Sequence, residues 1–272
     1  MPLVVTGTRT EIHELRGHPV CVKRDDLCSP APGPSFAKVR GLELHLRGRI
    51  EPVIGAMDTL HSKAGWGVAW VCRALKKKAV VYYPKYKGEA GLRENQRRCR
   101  DLGAELVPFE AGMSAVLYNR AKTDLNRRYG RASYMLPNAL KLQESVNGTA
   151  AEVATVPAEM MHDATWLVSI SSGTLAAGVI RGLKKAGGTA NVVLHMGYSR
   201  PKASVWKYLE KKVGTRPKFG IEIVDEGYAY RDRVDTECPF PCNPYYDLKA
   251  WKWLAREIEN RETRWLFWNI GA

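Results

Sequence analysis

A chain of 272 residues can bury a sizeable core, and two modest domains or one large α/β unit are the expected organisations. Its 45% hydrophobic and 26% charged residues exclude a disordered chain, no apolar run approaches the roughly 20 residues of a membrane span, and MPLVVTGTRTEIHEL lacks the basic and apolar parts of a secretory leader, so a cytoplasmic protein without membrane attachment is expected. A net charge of +14 is unusual for an enzyme of small free metabolites and keeps nucleic acid or an anionic substrate in view.

Apolar, β-branched runs predict strands at HPVCVKRDD, EPVIGA, KAVVYYP, AELVPFE, ATWLVSIS, ANVVLHMG, FGIEIVDE and RWLFWNIG. Between them, a 3.6-residue period predicts helices in FAKVRGLELHLRGR, LHSKAGWGVAWVCRALKK, AGLRENQRRCRDLG, SAVLYNRAKTDLNRRYG, SVNGTAAEVATVPAEM, TLAAGVIRGLKKAG, KASVWKYLEKKV and DLKAWKWLAREIENR. Such alternation implies α/β architecture, with mostly parallel sheet covered by helices on both faces. Ligands then bind beyond the carboxyl ends of strands. The Pro-, Cys- and Asp-rich DRVDTECPFPCNPYY has no period and reads as loop. The six cysteines are scattered and fit reduced thiols; only Cys238 and Cys242 are close, and with dispersed histidines as the other ligands no metal site is expected.

The sharpest local signal is LVSISSGTLAAGVIRGL, where a strand ends in Ser171, Ser172, Gly173 and Thr174 and a helix of small residues follows. Unpaired N–H groups, hydroxyls and the positive end of a helix dipole meet there, which suits a phosphate; a plain helix cap is the alternative. A second strand-to-helix turn carries Asp58, Thr59, Leu60, His61 and Ser62, where caps alone account for Asp58 and Thr59. In PSFAKVRGLE, Lys38 sits at the mouth of a helix. A partly desolvated lysine loses its proton more easily and can form a Schiff base with an aldehyde, although most lysines in so basic a chain are surface cations.

These segments resemble, in order, those of the pyridoxal-phosphate enzymes of the tryptophan-synthase β-like fold (fold type II). VKRDDLCSPAPGPSFAKVRGLELHL is similar to the family's KR-D-L…G-N-K-x-R-K-L-E segment, and VIGAMDTLHSKAGWGVAWVCRAL to its G-G-x-Q-S-N-H-x-x-A-x-A segment. YMLPNALKLQESVNG resembles the P-x-G connector, SISSGTLAAG the G-S-G-G-T-x-A-G phosphate cup, and WLFWNIGA the late L-F-x-H-T-G-G. The closest branch looks like 1-aminocyclopropane-1-carboxylate deaminase and D-cysteine desulfhydrase.

The resemblance implies two three-layer α/β domains with mostly parallel sheets. Residues 1–40 plus 149–272 would form the large cofactor-binding domain, and 41–148 the smaller inserted one. It implies pyridoxal 5′-phosphate held as an aldimine on Lys38, with Ser171, Ser172, Gly173 and Thr174 around its phosphate. Lys38 and Thr59 would be catalytic, the latter standing where the family has a serine. Leu60 replaces the asparagine that touches the pyridine hydroxyl, and Ile270 the threonine that meets the pyridine nitrogen, leaving Asn269 as the nearest polar candidate. Asp58 and His61 would face substrate, and the family's substrate-side tyrosine falls on Phe240.

The implied activity is lyase- or deaminase-like chemistry at the α-carbon of a small amino acid: deamination, elimination or decarboxylation. Some virus-encoded relatives elaborate amino-acid adducts on thymidine in DNA, which makes the alternative the same chemistry on a DNA-linked amino acid, in the host cytoplasm for a viral member. A degenerate nucleic-acid-binding relative without activity is the third reading. Basic residues from Arg73 to Arg100, interleaved with Tyr82, Tyr83 and Tyr86, suggest a nucleic-acid surface on the smaller domain, or simply solvated helix faces. Family members commonly dimerise, so a homodimer is expected.

Overall fold

The computed structural model describes residues 3–272. In chain order the elements are β1 (Thr10–Leu15), β2 (His18–Arg24), α1 (Val39–Arg47), β3 (Val53–Met57), α2 (Ala64–Ala74), β4 (Lys78–Lys85), α3 (Glu94–Asp101), β5 (Glu105–Glu110) and α4 (Ser114–Tyr129). There follow β6 (Ser133–Met135), α5 (Gln143–Val153), β7 (Ala164–Ile170), α6 (Thr174–Lys185), β8 (Asn191–Met196), α7 (Lys202–Val213), β9 (Ile221–Val224), α8 (Asp247–Glu257) and β10 (Arg264–Asn269). All eight expected strands and eight helices are present. The sequence pattern missed β1, whose edge position leaves Ile12 69% exposed, and β6, which has three residues.

The chain divides into two compact units. The first comprises Leu3, Val4 and residues 29–144, around a parallel four-stranded sheet ordered β5-β4-β3-β6. Alternation along β3 sends Ile54 and Ala56 into a core with α1 and α2, and Val53 and Met57 into a core with α4. Gly55 lies on the α4 side, where a Cβ would come within 2.5 Å of Leu125 Cδ2; only glycine lets that helix sit so close.

The second unit comprises residues 5–28 and 145–272, with sheet order β1-β2-β10-β7-β8-β9. Only β1 pairs antiparallel; the other neighbours run parallel. Trp166, Val168, Leu266 and Trp268 pack with α5, α6 and α7 on one face, whereas Leu167, Trp265 and Phe267 pack with α8 on the other. Both faces being covered, the central strands read as continuous apolar runs.

The domain boundary expected after residue 40 differs from this division, in which residues 29–40 belong with the smaller sheet. Met1 and Pro2 lie outside the described residues. Packing explains the difference: Phe36 and Val39 join Leu42, Leu46 and Val68 in one core, and Gly67 of α2 lies against Phe36, Val39 and Pro34.

Gly178 of α6 marks the tightest helix approach in the larger unit, since a Cβ there would lie 2.5 Å from Thr149 Cβ and 2.8 Å from the Val146 carbonyl oxygen of α5. Overpacking of this kind costs about 1–3 kcal/mol. Gly178→Ala is therefore expected to lower the urea midpoint by that much stability, with an unchanged slope.

Candidate active site

Lys38 lies at the N-terminal boundary of α1 and is buried, with 8% of its surface exposed. Its Nζ donates a hydrogen bond to the Ala139 carbonyl oxygen at 2.6 Å and lies 5.9 Å from the centre of the Phe36 ring. Burial first, and the Lys141 cation second, lower its pKa to about 7. The carbonyl is aimed by unusual backbone: Ala139 has φ +58° and Leu140 φ +48°, in the left-handed region that favours glycine. Ala139 is the residue that the resemblance aligns with the glycine of the P-x-G connector. Sequence reasoning flagged that connector without giving it a role.

The loop between β3 and α2 holds the other candidates of this unit. Asp58 is buried and its amide donates to Tyr82 O at 2.7 Å. Burial pushes its carboxyl up to about 7, against the lowering effect of the Thr59 and Gly65 backbone N–H groups and of Arg93. Gly65 is needed for this contact, since a Cβ there would stand 2.9 Å from Asp58 Oδ2. Thr59, Leu60 and His61 follow in the same loop, half-buried, and Ser62 Oγ accepts the Ala64 N–H at 3.0 Å to start α2. Leu60 brings an apolar side chain to the position where the resemblance has an asparagine.

In the larger unit, β7 ends at Ile170 and the chain turns through Ser171, Ser172 and Gly173 into α6. Gly173 has φ +87°, and a Cβ there would lie 2.9 Å from the Tyr208 ring, so both backbone and space require glycine. Thr174 Oγ1 lies 3.1 Å from Ser172 Oγ and 3.0 Å from Tyr208 Oη. The turn thus gathers three hydroxyls at the start of a 12-residue helix, where the Thr174 N–H donates to Ser172 Oγ at 3.4 Å; the N-terminus of such a helix suits an anion. Tyr208 was not foreseen, because it lies 34 residues from Thr174 and nothing in VWKYLEKK singles it out.

On the neighbouring strand, Asn269 is wholly buried at the C-terminal end of β10, one residue beyond the Trp268–Val168 pair and so on the same sheet edge as the cup. Its Nδ2 donates to Pro241 O at 2.9 Å, while Oδ1 has no hydrogen-bond partner among the described residues. Ile270 packs into the apolar core instead.

Two expectations are corrected. Phe240, expected at substrate, is 4% exposed and packs 5.0 Å from both His13 and Trp251 and 5.8 Å from Phe267, its ring filling the core on the α8 side of the larger sheet. Of the interleaved aromatics expected over residues 73–100, only Tyr86 keeps an accessible, half-buried ring. Tyr82 is wholly buried with its hydroxyl on Asp124 Oδ2 (3.0 Å), and Tyr83 is 8% exposed, because both belong to a strand covered on two faces. Several cations there already have partners: Lys78 with Glu105, Arg93 with Glu89, Arg98 with Glu94 and Arg100 with Asp101.

Pyridoxal phosphate, implied by the resemblance, fits the residues present. Taken unit by unit, the larger has a glycine turn at a helix start that suits a phosphate and a buried Asn269 Oδ1 without a partner among the described residues, and the smaller has in Lys38 a buried amine that loses its proton readily. Among the described residues no cluster of His, Cys, Asp and Glu could hold a metal ion, and no helix is long and apolar enough to cross a membrane.

The neutral amine is the attacking form. The initial rate of imine absorbance on mixing the cofactor-free protein with pyridoxal phosphate is therefore expected to rise about tenfold per pH unit below 7 and to level off above it. A rise continuing toward pH 10 would mean an ordinary, solvated lysine.

Comparison with known proteins agrees with this geometry. A protein of Pseudomonas phage M6 called a glycyl-dTMP PLP-dependent decarboxylase is 48% identical over 279 aligned residues, spanning 99% of this chain and 100% of its own length. Among solved structures, an ACC deaminase homologue superposes with a TM-score of 0.81 at 21% identity, covering 99% of this chain and 90% of its own. The processed form of threonine deaminase isoform 2 from Solanum lycopersicum gives 0.68 at 14% identity, covering 97% and 83%. At such identities the two structures establish the fold, that of the tryptophan-synthase β-like enzymes. The family model described as "Pyridoxal-phosphate dependent enzyme" matches residues 5–214, and the chain belongs to that family of enzymes, with pyridoxal phosphate as its cofactor.

Proposed function

We propose that this enzyme decarboxylates a glycyl group carried on a thymidine nucleotide, in preference to acting on a free amino acid. The observation that carries this reading is the 48% identity, over the full length of both chains, to the phage protein named for that reaction. The reaction balances simply: the bond between the glycyl α-carbon and its carboxylate breaks, carbon dioxide leaves, and a proton takes its place.

When bound, pyridoxal phosphate supplies the electron sink for the pair left on the α-carbon. The chain's own residues would do the rest. Lys38 would hold the cofactor's aldehyde carbon and, with a pKa near 7, can both take up and return a proton at neutral pH. Ser171, Ser172, Gly173 and Thr174 would hold the phosphate through backbone N–H groups and hydroxyls, with Tyr208 fixing Thr174. Asn269 Oδ1 would accept from the ring nitrogen and keep it protonated. In the β3–α2 loop, Thr59, Asp58 and His61 would meet the substrate. Leu60 would keep water from the carboxylate, and a poorly solvated carboxylate is lost more readily.

Two partner expectations accompany this reading. The chain would act as a homodimer, and in the host cytoplasm if it is viral. Nucleic acid would be the carrier of the substrate.

The test is release of labelled carbon dioxide from a carboxyl-labelled glycyl-thymidine nucleotide, with labelled glycine as the competitor. The expected result is release from the nucleotide, one solvent deuterium at the α-carbon, and a loss of about 10²–10⁴-fold in Lys38→Ala. Release from free glycine alone would restore the free-amino-acid reading.

A further inference from the structure

Helices α6 and α7 lie side by side on one face of the larger unit's sheet, and Tyr208 of α7 reaches the cup at the start of α6. From residue 174 to residue 218 ten residues are Lys or Arg and one, Glu210, is acidic, a local excess of +9 in a chain whose total is +14. The charges fall on the outside of both helices: Arg181, Lys184 and Lys185 on α6, and Lys202, Lys207 and Lys211 on α7, are all exposed. Arg181 and Lys185, like Lys207 and Lys211, are four residues apart, so each pair stacks about 6 Å apart on one side of its helix.

None of these six cations makes an ion pair among the described residues. Arg181 donates to Asn147 Oδ1 at 3.1 Å and Lys184 to Thr215 O at 3.0 Å, both neutral acceptors. In the smaller unit some exposed cations are matched with carboxylates, as for Arg128 with Glu105 and Arg127 with Asp124, while others, such as Lys76, Lys85 and Lys87, make no ion pair among the described residues. A face of unneutralised like charge repels itself, and an extended polyanion relieves that repulsion. The 12-residue α7 is about 18 Å long, the axial span of about five base pairs.

We propose that the α6–α7 face binds the phosphate backbone of DNA, so that the glycyl-thymidine group is processed faster within a DNA strand than as a free nucleotide. This rests on the function proposed above for the choice of DNA as the polyanion. The surface is separate from the cup, and it differs from the region around residues 73–100 to which the sequence pointed.

The experiment measures binding of the holoenzyme to single-stranded and duplex DNA oligonucleotides across a salt series, for the native protein and for the Arg181→Gln/Lys207→Gln/Lys211→Gln variant. Each lost phosphate contact removes about 0.7 (single strand) to 0.9 (duplex) from the log–log salt slope, so the variant should lose about 2 to 3 from it and bind at least tenfold more weakly at low salt. The charge-conserving Arg181→Lys/Lys207→Arg/Lys211→Arg variant should bind as the native protein does. Turnover of a free glycyl-thymidine nucleotide should be equal in all three, while turnover of the same group in an oligonucleotide should be faster in the native protein and fall with the neutralised face.

Equal DNA binding by the neutralised and native proteins would overturn the surface. Equal kcat/KM for the free and strand-borne group would overturn the strand as substrate, and equally tight binding to phosphatidylserine vesicles would overturn DNA as its specific occupant. Face-dependent DNA binding with no decarboxylation of either substrate form would support the surface and refute the proposed reaction, which keeps the two failures distinct.

Discussion

The chemistry available to this chain depends on the desolvation of one cation. At the start of α1, Lys38 is held out of water beside a backbone carbonyl, and a second cation, Lys141, adds to the cost of a charge there. An ammonium in that setting gives up its proton near neutrality. The same desolvation has a structural cost: the folded value lies below that of the unfolded chain, so protonation opposes the fold below about pH 7, and the penalty fades as pH rises toward the ordinary lysine value of about 10.4. The burial is secured by Phe36 and Val39, which tie the segment bearing Lys38 to the core of the smaller sheet. The carbonyl that meets it comes from a stretch of left-handed backbone at Ala139 and Leu140, where a non-glycine residue adopts a conformation that costs energy.

The cup reaches a comparable specificity through opposite means. Gly173 has a positive φ and no room for a Cβ, so the backbone rather than a side chain lines the turn, and Tyr208 closes it from the next helix. On the same sheet edge, Asn269 keeps a buried oxygen without a partner, a cost tolerated when a ligand supplies the missing donor. Ile270 stands where the resemblance has a threonine, and in the proposed function the neighbouring Asn269 would make the polar contact in its place.

Most of the fold was legible because a parallel sheet covered on both faces leaves plain apolar runs, and because every long helix carries its own period. Where the pattern failed, the reasons are local. TEIHEL in β1 alternates weakly at a sheet edge, and SYM in β6 is too short to have a period. The order of motifs singles out Lys38 and the Ser-Ser-Gly-Thr turn as candidates. It does not single out their partners Ala139 and Tyr208, since those contacts join residues 101 and 34 positions apart. The misreading of Tyr82 and Tyr83 has the same root as the success with the strands: in KAVVYYPK two adjacent tyrosines beside basic residues look like a stacking surface, yet in a central strand consecutive side chains enter the two opposite cores. Charge was visible in the composition, but its neutralisation was not. Carboxylates mostly within four residues, such as Glu89 for Arg93 and Glu94 for Arg98, with the more distant Glu105 for Lys78 and Arg128, pair part of the smaller unit's charge, and none among the described residues pairs the six cations of the α6–α7 face.

The central claim is that Lys38, among the many lysines of this chain, carries the cofactor. Borohydride reduction of the holoenzyme followed by peptide mapping tests it most directly. The account predicts a single pyridoxyl group on the peptide containing PSFAKVRGLE, at Lys38. A pyridoxyl group on another lysine, or an unmodified Lys38 in protein that retains the cofactor, would contradict it.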